Sequence, residues 1–171
     1  MLIKILLAAA IAAPAAVLAA GAAPTDPQIA AIAYTADSVD IAAGKQALNK
    51  SHNSAVRAFA QEMVRDHTAV NNQALALVKK LNVTPQPSAT SRQIADGGTA
   101  ERAKLAKLSG AAFDRAYADN EVAYHKTVNG ALRDTLIPSA SNAQLKAFLE
   151  TGLKLFTSHE EHAEHLAAQL K

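Results

Sequence analysis

From Val56 to Leu81 the chain sets a core-type side chain at alternating intervals of four and three residues: Val56, Ala60, Met63, His67, Val70, Ala74, Leu77 and Leu81. Only a helix, with its period near 3.6, puts all of these on one face, so the stretch has to be a long helix with that face buried. One member of the stripe is a histidine. Three other stretches carry the same period. Asp26 and Pro27 read as the N-cap and first-turn proline of a first helix over about 27–50, with Ile29, Ile32, Ala36, Val39 and Ala43 on its inner face and Asp40 within that face. The segment "SHNS" at 51–54 supplies a cap for the second helix. A third helix, from Ala111, aligns Asp114, Tyr117, Glu121, His125, Val128 and Leu132. Ser141 and Gln144 have the spacing of a capping box for a fourth helix, whose stripe is Leu145, Leu149, Gly152, Phe156, His159, Ala163, Leu166 and Leu170.

Between the second and third helices, "NVTPQPSATSRQIADGG" at 82–98 is rich in Pro, Ser, Thr and Gly and reads as one long connection, with a short helix at 99–109 before the "SG" break. Two short turns around one long middle connection predict an all-α fold: a ferritin-like four-helix bundle with a long crossover between helices 2 and 3. Extended, the connection covers roughly 55 Å, more than the roughly 40 Å length of the second helix. If the crossover returns the chain to the end where helix 2 began, Asp40, His67, His125 and His159 all fall about 11 to 14 residues from that end, a spread of only about 5 Å. With helix 3 reversed, His159 would miss the layer by roughly another turn. The crossover therefore predicts a polar layer with one group from each helix.

Composition narrows what such a layer can do. The chain has no cysteine, so any metal chemistry must use His, Asp and Glu, and no disulfide, thiol nucleophile or lipidated cysteine is available. Imidazole with carboxylate suits a divalent Zn, Fe, Mn or Cu ion. The candidate metal ligands are Asp40, His67, Glu121, His125 and His159, with Tyr117 and Asp114 one and two turns away along helix 3. A two-iron centre of the Glu-x-x-His type is disfavoured, because that motif does not occur on two helices here. Seventeen basic against fifteen acidic residues, with no basic block, exclude a nucleic-acid footprint. Only 4% of residues are aromatic while half are apolar, much of that alanine, which favours closely packed helices over a sheet.

The N-terminus reads as an export signal. Lys4 precedes "ILLAAAIAAPAAVLAAGAA", and small-residue cleavage patterns lie between Ala19 and Ala23, so residues 1–23 are expected to be removed and 24–171 to form one domain, periplasmic or secreted. The rival is an uncleaved anchor, since the uncharged run is just long enough to span a membrane. No spanning segment follows it, and a homo-oligomer is left open. At the other end, "SHEEHAEH" divides: His159 points to the core and His162 flanks it, whereas His165 with Glu160, Glu161 and Glu164 reads as a solvated face. Three functional readings stay open. The first is a metal or small-ligand site in the layer, serving metal or stress handling, with no catalytic residue assigned. The second is a non-catalytic structural or interaction bundle whose layer is a hydrogen-bond network. A metal-dependent oxidoreductase or hydrolase ranks last.

The segments "FAQEMVRDH" (59–67), "LSGAAFDRAY" (108–117) and "VAYHKTV" (122–128), with the region of His159, resemble the bacterial family called domain of unknown function 4142 over about residues 29–168. The resemblance implies an exported protein with a ferritin-like fold and no established activity. The family's recurrent histidines fall on His67, His125 and His159, and its Asp-x-x-Tyr on Asp114 and Tyr117. Asp40 stands where the first helix of the family usually has Glu, and "LKLFTS" replaces the proline that many members carry before the last histidine. The family's outer-membrane label has no counterpart in this chain, which lacks the alternation of barrel strands.

Overall fold

A computed structural model describes residues 23–171. The export signal expected at 1–23 and the anchor that rivals it lie, but for residue 23, outside the described residues. Every regular element among the described residues is helical: α1 (Asp26–Lys50), α2 (Ser54–Lys80), α3 (Ala89–Ala106), α4 (Gly110–Ala131), and α6 (Ala143–Gln169), with a π-helical turn at Leu132–Leu136 and a short α5 (Ile137–Ser139) extending α4. None is long and apolar enough to cross a membrane.

Contacts between helix ends define the directions. The Oγ of Ser51, just before α2, donates to Asp114 near the start of α4 at 2.6 Å, so these two helices begin at the same end. Asp26, at the start of α1, accepts from the backbone N–H of Ser141 (2.9 Å), its Oγ (2.7 Å) and the N–H of Asn142 (2.9 Å), which places the start of α6 at the opposite end. Burial would raise the Asp26 carboxyl, but these bonds outweigh it and hold its pKa below the usual range.

This use of Asp26 corrects two expected caps. Thr25, not Asp26, precedes α1, and its N–H donates to Oε1 of Gln28 at 3.0 Å. Because Ser141 is engaged by Asp26, Asn142 caps α6 instead, accepting from Gln144 and Leu145. At α2 the cap falls within the expected segment: Asn53 accepts from the N–H groups of Ala55 and Val56.

The long connection is also not the loop expected. Residues 89–106 form a helix, and only the stretch before it is extended, pinned by the Gln86 N–H to the carbonyl of Pro27 at 2.9 Å. Ser88 and Ser91 cap each other's backbone N–H groups, a local signal strong enough to start a helix in a segment of weak formers. Gly97 and Gly98, placed from sequence in the long connection, lie inside α3. A Cβ on Gly98 would sit 2.4 Å from Cγ1 of Val39, so the glycine lets α3 lie directly on α1. Farther along, Gln46 donates to the carbonyl of Arg102 and Lys50 to that of Ala106. The crossover thus runs beside α1 and in its direction. Gly44 brings α1 equally close to α2: an added Cβ would lie 2.9 Å from Val64 and 3.1 Å from the Ala60 carbonyl.

Two apolar cores result. One joins Ala47, Phe59, Met63, Phe113, Ala163 and Leu166; the other joins Ile29, Ile32, Leu132, Leu136, Leu149 and Phe156. Each fully buried large side chain among them contributes roughly 1.5–3 kcal/mol. Between the two cores lies a polar level. The tolerance of α3 separates its glycines: Gly97→Ala meets nothing and should stabilise by about 0.4–1 kcal/mol, whereas Gly98→Leu must displace Val39 and should cost about 1–3 kcal/mol, both read by urea unfolding.

Candidate metal centre

Each of the four long helices reaches the level between the cores and changes there from apolar to ionisable residues. On α1 the stripe passes from Ile32 through Asp37 and Asp40 to Ala43, and on α2 from Met63 through His67 to Val70. On α4 it passes from Tyr117 through Glu121 and His125 to Val128, and on α6 from Phe156 through His159 to Ala163. Asp40, His67, Glu121, His125 and His159 are all buried, at 1–3% exposure, deep enough that any charge must be matched within the protein. The imidazole centroids form a triangle with sides of 5.3, 5.6 and 5.7 Å. Phe156 closes one side by stacking on His67 at 4.7 Å.

The outward nitrogen of every imidazole is engaged by an oxygen. Nδ1 of His67 lies 2.7 Å from Oδ1 of Asp37, Nδ1 of His125 lies 2.9 Å from the backbone carbonyl of Glu121, and Nε2 of His159 lies 3.2 Å from Oδ2 of Asp66. A carbonyl only accepts, so His125 carries its proton on Nδ1. Asp66, held below the usual carboxylate range chiefly by its bond from Arg65, accepts from Nε2 of His159. Burial raises the pKa of Asp37. Burial opposes protonation of His67, yet Asp40, Asp37 and Asp66 together outweigh it and raise its pKa, so the Asp37–His67 pair holds its shared proton firmly.

The inward atoms are left without hydrogen-bond partners: Nε2 of His67, Nε2 of His125, Nδ1 of His159, both oxygens of Asp40 and Oε2 of Glu121. Oδ2 of Asp40 stands 3.3 Å from Nε2 of His67 and 3.4 Å from Nε2 of His125. With the His125 proton on Nδ1, its Nε2 sets a lone pair against Oδ2 of Asp40, an arrangement that repels unless a cation lies between them, whereas His67 in its protonated form turns an N–H toward the same oxygen. Bonds of about 2.0–2.1 Å put tetrahedral ligand atoms about 3.3–3.4 Å apart, which matches both separations. Ligand atoms of His67, His125 and His159 lie within 4.8 Å of one another, as do those of Asp40, Glu121 and His125. Burial, reinforced by Asp40, pushes Glu121 well above the carboxylate range, so without an ion it is a neutral acid. Burial lowers His125, and burial with the two neighbouring imidazoles lowers His159 to about 4.

The five candidate residues are therefore brought together, whereas Asp114 is two turns away, bonded to Ser51. Tyr117 is buried with its hydroxyl unpartnered, and Glu121 and Asp40 reinforce the effect of burial in raising its pKa. Sequence reasoning missed Asp37 and Asp66, the partners that orient two of the imidazoles. Their signals were present: Asp37 is one turn before Asp40, and Asp66 adjoins His67. It also assigned Glu160 to a solvated face, whereas Glu160 accepts from Asn129 at 2.7 Å. An apolar cavity of about 50 Å³ borders the layer, with Asp37 and Phe156 in its wall beside Ile32, Val70 and Leu149.

The fold and this layer define an all-α bundle with a histidine and carboxylate cluster at its centre. The chain belongs to the family described as Domain of unknown function (DUF4142), whose model matches residues 11–166. Comparisons with curated proteins and with solved structures each found no match.

The lowered pKa of His159 has a definite sign in the metal-free protein. The unfolded chain binds a proton near pH 6.5 and the folded chain only near 4, so this residue's contribution is present above 6.5 and lost as pH falls through that window. Urea unfolding should show wild type losing more stability between pH 6.5 and 4 than His159→Gln; equal losses would contradict the assignment.

Proposed function

We propose that the protein is an exported metal-handling bundle that binds one divalent transition ion through His67, His125, His159 and Asp40, with Glu121 beside it. The observation that carries this reading is the convergence of unpartnered imidazole nitrogens and carboxylate oxygens in a fully buried layer. A hydrogen-bond network alone would be expected to pair these atoms, since each buried polar atom without a partner costs about 1–3 kcal/mol. The outward partners support the same reading. Asp37, the Glu121 carbonyl and Asp66 fix ring orientation and tautomer in the manner of groups behind metal-ligating histidines. An imidazole-rich set without thiolate suits Zn, Cu or Fe better than Mg or Ca. Binding would draw on neutral imidazoles, so affinity should fall as pH falls, with the raised His67 the first ligand for which protons compete. Export follows from the N-terminal leader pattern, and periplasmic or secreted handling of a metal is the role that joins the two features.

Equilibrium dialysis of metal-free protein against Zn²⁺ tests the proposal. Wild type should take up one tight equivalent and His125→Ala none, while Asp37→Asn should bind about 10- to 100-fold more weakly because His67 loses its acceptor. Equal uptake by wild type and His125→Ala would sink the reading.

A further inference from the structure

The buried layer has a second face toward solvent, through His159. Its Nδ1 points to the layer, while its Nε2 points outward to Asp66, which is 19% exposed at its side chain. Glu62, one turn before Asp66 on the same edge of α2, is 30% exposed and contacts Nδ1 of His162 at 2.7 Å. His162, one turn after His159 on α6, is 48% exposed. Its ring is seated edge-on against the buried Phe59 at 5.1 Å between centroids, which holds it in place over the cleft between the helices. Ligand atoms of Glu62, Asp66 and His159 lie within 4.8 Å of one another. From His162 to His159 exposure falls from 48% to 2%, so the four side chains grade from water to the core.

We propose that Glu62, Asp66, His162 and, once its proton has moved to Nδ1, Nε2 of His159 form an outer divalent-cation site, the port through which an ion reaches the buried layer. The proposal rests on the metal-binding reading above and names the way in. An ion cannot cross the apolar cores on either side of the layer without shedding its hydration unaided, at a cost of many kcal/mol. Here carboxylates and imidazoles replace its water stepwise, and a turn of the His159 ring passes it from one side of the imidazole to the other. Arg65, whose guanidinium bonds Asp66 at 2.7 and 3.0 Å, is the gatekeeper. It is 69% exposed, and an exposed pair of this kind is weak, so an arriving cation displaces it readily.

The test uses Co²⁺ and the double variant Glu62→Gln, His162→Gln, which alters partly exposed side chains and leaves the cores intact. Uptake into the layer is followed by visible absorption of the bound ion. The double variant should fill the layer about 10-fold more slowly than wild type and reach the same final occupancy of the layer, because an anionic port raises local cation concentration. Equal filling rates would overturn the proposal. In His125→Ala, which lacks the inner site, a weak equivalent should remain and vanish when the double substitution is added. Should wild type show no inner binding at all, that weak equivalent still decides for the outer site, and its absence decides against it.

Discussion

Taking Asp40, Glu121 and three histidines out of water at one level is the constraint on which the rest of the structure depends. Each such group left alone would cost several kcal/mol, roughly the margin by which a domain of this size is stable. The level is tolerated only where the four long helices stand in one register. Sliding α6 by a turn would set Phe156 or Ala163 where His159 stands and break the His159–Asp66 bond. The apolar cores above and below could accept such a slip with modest repacking. The layer cannot, and it therefore specifies the register that the alanine-rich interfaces leave loose.

Close packing supplies the complementary half. Gly44 against Ala60 and Val64, and Gly98 against Val39, bring α2 and α3 onto opposite sides of α1, the helix that carries Asp37 and Asp40. With no side chain to spare at these contacts, α1 cannot roll, and its two carboxylates keep their aim at His67 and His125. The crossover helix thus acts on the layer without touching it. At the far end the three bonds from Ser141 and Asn142 to Asp26 fix α6 along its axis relative to α1.

The level at which Asp40, His67, His125 and His159 meet was legible in the sequence, because helical rise turns residue counts into heights and a crossover fixes direction. The apolar stripes were legible for the same reason. The partners Asp37 and Asp66 were signalled only by their closeness to Asp40 and His67, and only the neighbouring helix decides whether such a position is covered. Helix α3 was hidden by composition: its Ser, Gly and Asp content reads as loop, and its stability comes from a serine cap and from docking on α1. The cap at Asn142 was missed because Ser141 is claimed by Asp26, far away in the chain.

The most direct measurement is anomalous diffraction at the zinc edge from crystals of Zn²⁺-loaded protein. The expected result is a peak about 2.0–2.2 Å from Nε2 of His67, Nε2 of His125, Nδ1 of His159 and a carboxylate oxygen of Asp40. Zinc found only beside Glu62 and His162, with none in the layer, would contradict a buried metal centre and leave the level as a polar seam between two cores.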